Sequence, residues 1–336
     1  MPDMSVADEI QQIKMEQPHV VLLGAGASRA AFPNGDANGK RLPVMADFIN
    51  IVPITNILKK ASISYRGRNF EEVYSDICAK QKFARVREAI ECAINDYFAS
   101  LSLPTWPTLY DHLILSLRKK DVVATFNWDP FLVQAIQRNQ LVRGQIPSVL
   151  FLHGNVAAGY CPRDNVHGMR GNKCSCCGSI LKTSRLLYPI STKTYVDDPS
   201  IADAWRMAQA SLKSAFMVTI FGYGAPQSDV SAVELLLNAW GGSDVRSMEQ
   251  FEIIDVREED DLLATWKRFI HTHHYEVHSN VYDSWLFNHP RRTGEAYISQ
   301  YLEAKFIKEN PIPKDKQFQE LWEWFAPLVA REPATA

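Results

Sequence analysis

Apolar residues in this chain come in short unbroken runs that stop at polar or glycine-rich turns. Residues 19–23 (His-Val-Val-Leu-Leu) run into Gly24-Ala25-Gly26-Ala27-Ser28. Residues 121–126 run into Asn127-Trp128-Asp129, and 149–152 into His153-Gly154. Later, 216–221 stops at Gly222-Tyr223-Gly224-Ala225-Pro226, and 251–255 ends on Asp255. Runs rich in β-branched and large apolar residues, without polar alternation, predict strands buried on both faces. Residues 274–278 predict a last strand. Between the runs the period changes. Phe83, Val86, Ile90, Ile94, Tyr97 and Phe98 recur at three- and four-residue spacing, and Leu109, Leu113 and Leu117 keep the same period. The stretch from about 44 to 118 is therefore expected to be helical. Further helices are expected near 130–138 and 200–213, from Ser228-Asp229, from the acidic segment 258–261, and along an amphipathic tail from 292 that carries Trp322 and Trp324.

Strand–helix alternation predicts an α/β fold: a Rossmann-like, mostly parallel sheet with helices on both faces. Two excursions interrupt it. One, about 30–118, forms a small helical module. The other, about 156–190, is an irregular knuckle carrying clustered cysteines. The main domain is expected over 18–290, with a C-terminal helical extension over 291–336. The chain has 336 residues, 46% hydrophobic and 22% charged, as in ordinary soluble proteins. A net charge of −2 gives no global basic field, so nucleic-acid binding is not expected. No apolar stretch reaches the roughly 18 residues of a membrane helix. Asp3, Asp8 and Glu9 precede any apolar run, which argues against a secretory leader. Four of the six cysteines fall between Cys161 and Cys177, while Cys78 and Cys92 stand alone. That distribution suits a reducing, cytoplasmic setting and a metal knuckle better than a disulfide scaffold.

In an open parallel sheet, ligands bind at the carboxyl ends of strands. The glycine turn, the Asn127/Asp129 pair and His153 all follow strands, so they can converge on one crevice. Gly24 and Gly26 allow a tight turn and close approach to a pyrophosphate, and the helix that follows offers N–H groups. The alternative is a tight turn packed on the sheet. Asn127 and Asp129 suit ribose hydroxyls, a carboxamide or a water; Asp129 also suits a helix cap, since it precedes Pro130. Imidazole is the side chain best fitted to take a proton near neutral pH, which singles out His153 at its strand end. Gly222 and Gly224 bracket Tyr223 in a loop open to ligand approach, or form a plain turn with Ser228 and Asp229 as caps. Cys161-Pro-Arg-Asp164 and Cys174-Ser-Cys176-Cys177-Gly178 resemble half of a zinc ribbon, with Cys176, Asp164 or His167 as candidates for the fourth ligand. The histidines at 271, 273, 274 and 278 are expected to be structural.

In order along the chain, these residues resemble the sirtuin superfamily, and its prokaryotic sirtuin-like branch more than the protein deacylases. Gly24-Ala-Gly-Ala-Ser28 resembles the family's first NAD loop, Thr125-Phe-Asn-Trp-Asp129 the segment that deacylases write Thr-Gln-Asn-Ile-Asp, and His153-Gly154 the catalytic His-Gly. The cysteines sit where the family has its zinc ribbon. Gly222-Tyr-Gly-Ala-Pro resembles the later ribose-binding turn, with Asp255 near the adenosine-binding strand end. Phe126 in place of Gln, the incomplete ribbon and the missing Asp-Phe-Arg stretch depart from deacylases. The resemblance implies an NAD+ glycohydrolase of bacterial anti-phage defence that depletes NAD+. Its alternatives are an NAD-dependent lysine deacylase or a non-catalytic NAD- or ADP-ribose-binding subunit. It implies catalytic His153, Asn127 and Asp129. NAD+ contacts are implied from Gly24, Ala25, Gly26, Ala27, Ser28, Phe126, Asn127, Gly222, Tyr223, Gly224 and Asp255. A structural zinc would sit on Cys161, Cys174, Cys177 and Cys176. A homo-oligomer or an infection-sensing partner protein is also implied, and the aromatic tail is one candidate surface for either.

Overall fold

A computed structural model describes residues 4–139, 145–190, 195–271 and 273–333; Asp3 and residues 140–144, 191–194, 272 and 334–336 of the segments named above lie outside them. It contains strands β1 (His19–Leu23), β2 (Val122–Thr125), β3 (Ser148–Phe151), β4 (Ala158–Tyr160), β5 (His167–Met169), β6 (Lys182–Thr183), β7 (Met217–Phe221), β8 (Gln250–Ile254) and β9 (Tyr275–His278). Six of them form one sheet in the order β3-β2-β1-β7-β8-β9, with every neighbouring pair parallel. Counted within that sheet the order is 3-2-1-4-5-6, the doubly wound arrangement of Rossmann-type folds.

Alternation along each strand decides which core a side chain joins. Val21, Leu23, Val123, Phe221 and Ile254 face the helical module and belong to one buried cluster. Val20, Leu22, Ala124, Leu150, Val218, Ile220, Phe251 and Ile253 face the other way, under the helices Pro199–Ser214, Val230–Trp240 and Glu259–Trp266. Both faces are covered at β1, β2 and β7, which is why these strands carry no polar alternation; the edge strand β9 (Tyr275-Glu276-Val277-His278) is half-buried and does alternate. The helical module folds as Phe48–Ile51, Thr55–Lys60, Phe70–Cys78, Ala84–Ala99 and Leu109–Ser116. In Ala84–Ala99 the buried residues are Ile90, Ile94 and Phe98, the four-residue stripe of the sequence.

Two segments differ from expectation. Residues 156–190 are not irregular throughout: β4 pairs with both β5 and β6 in a small antiparallel sheet. The tail is not continuously helical. Thr293–Tyr297 passes into a π-helical turn, Ile298–Leu302, and helix resumes only at Phe318–Val329. Ala304 takes a left-handed φ of 53°, and Pro311 and Pro313 follow, so the backbone between cannot hold a helix. The last helix packs inward. Leu321, Phe325 and Leu328 join the main core, and the Trp322 indole N–H donates to Asn139 Oδ1 at 2.9 Å. Its aromatics are thus engaged with the chain's own helices.

The histidines near the last strand have local partners. His271 Nε2 meets the Gly241 carbonyl at 2.8 Å, and His274 Nδ1 meets the Tyr297 hydroxyl at 2.8 Å. His278 lies 3.6 Å from Glu252 and 3.3 Å from Glu276. Burial pulls its pKa down, but those two carboxylates outweigh burial and push it up to about 10. Among the described residues no helix is long and apolar enough to cross a membrane.

Candidate active site

The strand order reverses between β1 and β7, and the crevice at such a switch point is where doubly wound sheets bind ligands. Both turns at this point are glycine turns, and they touch. Gly24 N–H donates to the Phe221 carbonyl at 3.0 Å and Gly26 N–H to the Gly222 carbonyl at 2.9 Å. A Cβ on Gly24 would lie 2.5 Å from the Gly222 carbonyl oxygen, and one on Gly26 would lie 2.8 Å from Gly222 Cα. Only glycine permits this approach. The expectation of a turn offering free N–H groups is thereby modified: two of them are engaged by the β7 turn. Gly222 itself has a φ of 62°, the left-handed region that glycine tolerates.

Ser28 is the centre of a buried polar network. Its hydroxyl donates to Asp129 Oδ2 at 2.6 Å, lies 2.6 Å from the Tyr110 hydroxyl, and accepts from Asn127 Nδ2 at 3.0 Å. Asn127 Nδ2 also donates to the Gly24 carbonyl at 2.9 Å. The glycine turn and the β2 end are therefore pinned to each other by one amide. Asp129 serves as cap and network member together, since its Oδ1 accepts from Phe131 N–H at 3.3 Å. The Asp129 side chain is buried, and Ser28 links it to Asn127. Burial is the main influence on its carboxyl and pushes the pKa up to about 6 against the opposing bonds from Ser28 and Phe131.

His153 follows β3, and its carbonyl accepts from Leu187 N–H at 2.9 Å. Gly154 has a φ of 76°, and a side chain there would run into the Arg185 carbonyl, so the turn brings the knuckle's returning strand against His153. The imidazole meets the Phe126 ring edge-on at 4.9 Å and lies parallel to Tyr195 at 6.2 Å. Its Nε2 is 3.9 Å from Asp229 Oδ1, an ion-pair separation rather than a hydrogen bond. Asp229 also accepts from the Tyr223 hydroxyl at 3.1 Å, and Tyr223 stacks on Phe126 at 3.9 Å.

Ser28, Phe126, Asn127, Asp129, His153, Gly222 and Tyr223 thus form one contiguous group with Gly24 and Gly26. Ala27 is buried behind the turn, Ala25 opens its helix and Gly224 is exposed. Asp255 lies at the end of β8, two strands from β1 and so roughly 10 Å away by strand spacing. Its carboxylate is held by Arg257 through N–H at 3.1 Å and Nη2 at 2.9 Å. Three contributors escaped the sequence pattern. Tyr110 looked like one more apolar helix position, Asp229 looked like a cap, and Tyr195 carried no motif.

The cysteine knuckle is a separate centre. Cys161, Asp164, Cys174 and Cys177 present ligand atoms all within 4.8 Å of one another. Cys161 Sγ lies 3.6 Å from Cys177 Sγ and 3.4 Å from Asp164 Oδ2; Cys174 Sγ lies 3.2 Å from the same oxygen. A tetrahedral zinc with bonds of ~2.3 Å to sulfur and ~2.0 Å to oxygen spaces its ligands by about 3.8 Å and about 3.5 Å. The donors fit such an ion. The fourth ligand corrects the sequence choice: Asp164 turns inward, while Cys176 is exposed and outside the cluster. The spacing Cys174-x-x-Cys177 leaves the middle residues on the outside of the knuckle turn. One zinc per chain is expected by elemental analysis, retained in Asp164→Cys and lost in Cys174→Ser. Chelation should lower the melting temperature, because the segment that follows β6 packs Arg185 and Leu187 on the His153–Gly154 turn. Full stability in metal-free protein would contradict a structural ion.

No family model matches the chain, and no curated protein matches it. Among solved structures it is similar to a Sir2 homologue in complex with NAD, at 15% identity over 86% of this chain and 88% of that one, with a TM-score of 0.35. It is similar also to a mutant Sir2 homologue in complex with ADP-ribose, at 14% identity over 97% of each chain and a TM-score of 0.37. A third is a Sir2 enzyme structure, at 14% identity over 89% of this chain and 100% of that one, with a TM-score of 0.38.

Proposed function

We propose that the chain hydrolyses NAD+ at the nicotinamide–ribose bond, giving nicotinamide and ADP-ribose. The observation that carries this reading is the convergence at the β1/β7 switch point of the hydrogen-bonded glycine turn, Asn127 and Asp129 with His153, which joins them through the Phe126 ring. Breaking the bond sends its electron pair to the pyridinium nitrogen and leaves positive charge on the ribose anomeric carbon. This reading assigns the pyrophosphate to the paired turns of Gly24, Gly26 and Gly222, with Ser28 behind them tying the turn to Asp129. Asn127, its amide nitrogen fixed on Gly24 and Ser28, keeps Oδ1 for a ribose hydroxyl or a water. The buried Asp129 carboxylate supplies negative potential behind the anomeric carbon through Ser28. His153 takes the proton of the attacking water as the C–O bond forms, and Asp229 beside it stabilises the imidazolium.

Asp129 gives this scheme a pH signature. Its charge is lost as pH falls through about 6, so turnover should decline on that acid limb. Stability moves the other way. A carboxyl with a raised folded-state pKa favours the fold below its unfolded value near 4, and that contribution is lost as pH rises through about 6. Asp129→Asn should flatten the acid limb and melt a few degrees higher than the parent at pH 8. An unchanged limb near pH 6 would remove Asp129 from the scheme.

Hydrolysis is favoured over lysine deacylation by Trp128. Its ring contacts Phe98 at 5.5 Å, Phe48 at 6.2 Å and Tyr188 at 5.2 Å, filling the junction between sheet and helical module where an acylated peptide would have to lie. Mass spectrometry of the products decides between the two. Free ADP-ribose with nicotinamide supports hydrolysis; acyl-ADP-ribose from an acylated peptide would transfer the proposal to deacylation. Retention of intact NAD+ on the protein without nicotinamide release would favour a binding subunit. The sequence resemblance supports a place for this activity in anti-phage defence, as an NAD+-depleting effector held in check by a partner or by self-assembly.

A further inference from the structure

We propose that Tyr223 is a gate over His153. Stacked on Phe126 it shuts the site, and its ring holds the place on Phe126 that a flat ring of the substrate takes once the gate opens. This rests on the assignment of the NAD+ site above and concerns how that site is reached.

The groups assigned to chemistry are sealed. His153 is 5% exposed, Asn127 8% and Phe126 8%, while the two rings over them, Tyr223 and Tyr195, are 4% and 7% exposed. Side chains this deep cannot touch a dissolved dinucleotide unless something above them moves. Tyr223 is the part built to move. Its ring lies flat on Phe126, centroids 3.9 Å apart and planes 8° from parallel, and Phe126 in turn meets His153 edge-on. Lifting Tyr223 bares an aromatic face next to the imidazole. Such a face attracts a planar cation, which a pyridinium ring is and its neutral leaving group is not.

The backbone provides a hinge on the C-terminal side. Gly222 is the fixed end, its N–H on the Ile254 carbonyl and its own carbonyl on Gly26 N–H, while beyond Tyr223 the exposed Gly224 has open space where a Cβ would point and Ala225 holds a left-handed φ of 46°. Ala225 pays a steric penalty in that region, so the closed segment is held by its side chain rather than by a relaxed backbone. The holding contact is the Tyr223 hydroxyl on Asp229, the same carboxylate that faces His153 Nε2. Closure therefore covers the base and engages its acidic neighbour in one contact.

Accessibility of His153 tests this without relying on turnover. Diethyl pyrocarbonate modification of the full chain, resolved by peptide mass spectrometry, would be timed in the parent, Tyr223→Phe and Tyr223→Ala. Surface His167 reports reagent activity and buried His19 reports unfolding. Tyr223→Ala is expected to modify at His153 at least about tenfold faster, as for an open state that is a minor population in the parent. Tyr223→Phe keeps the stack but loses the hydroxyl contact with Asp229, and its His153 rate should fall between those of the parent and Tyr223→Ala. Equal His153 rates in parent and Tyr223→Ala overturn the gate. If Tyr223→Ala also exposes His19, Tyr223→Leu, which keeps bulk but not the flat stack, is judged by the same criterion. Nicotinamide release is followed in parallel. Faster modification with no nicotinamide from any variant keeps the gate and removes the glycohydrolase. Unchanged modification with normal nicotinamide release does the reverse.

Discussion

His153→Asn is expected to lower nicotinamide release by about 10²–10⁴-fold, the span that a positioned general base contributes. Asparagine fills much of the same volume beside Phe126 and Tyr195 but cannot take a proton near neutral pH. The fold around it should persist, because the turn is held by backbone: Leu187 N–H on the His153 carbonyl and the left-handed Gly154. ADP-ribose, which has already lost nicotinamide, should still bind, and calorimetry with ADP-ribose separates lost chemistry from lost structure. Asp229→Asn should fall in the same direction by a smaller factor, since Asp229 acts through His153. Turnover within twofold of the parent in His153→Asn would exclude the imidazole as base.

The largest expected loss of stability lies far from the crevice. Arg291 and Arg292 are fully buried, and both pair with the single carboxylate of Glu332. Arg291 Nε and Nη2 donate to its two oxygens at 2.6 Å and 2.5 Å, and Arg292 Nη1 donates at 3.2 Å. The remaining guanidinium protons reach carbonyls, among them Leu115 and Leu117. Glu332→Ala leaves two desolvated cations without their shared anion, and loss of one member of a buried pair costs roughly 3–5 kcal/mol. Urea unfolding should show that loss as a lower midpoint at unchanged slope; Glu332→Gln should lose less. A change below about 1 kcal/mol, as for exposed pairs, would mean the cluster is hydrated in solution. The effect reaches the site as well, because the helix Leu109–Ser116 that Arg291 anchors carries Tyr110, the partner of Ser28.

Elements set by local periodicity were legible along the chain. The six sheet strands fall within a residue or so of the predicted runs; at β1, β2 and β7 this is because burial on both faces leaves no charged position to blur them. The glycine turns were legible as turns; that they dock on each other was not, since Gly24 and Gly222 are brought together only by the strand order. The same reason hid Tyr110 and Asp229, whose partners Ser28 and His153 are distant in sequence. At the knuckle, spacing alone could not separate Cys176 from Asp164, because only the turn decides which side chains point inward. The interrupted tail was readable in principle from Pro311 and Pro313, but its amphipathic pattern outweighed them.

Cellular NAD+ measured by mass spectrometry after induction of this chain with its genomic neighbours tests the central claim most directly. The account predicts that NAD+ falls as nicotinamide and ADP-ribose rise in cells carrying the parent under phage challenge, and that all three stay at control levels with His153→Asn. NAD+ unchanged with the parent chain under every condition, or equal loss with His153→Asn, would contradict it.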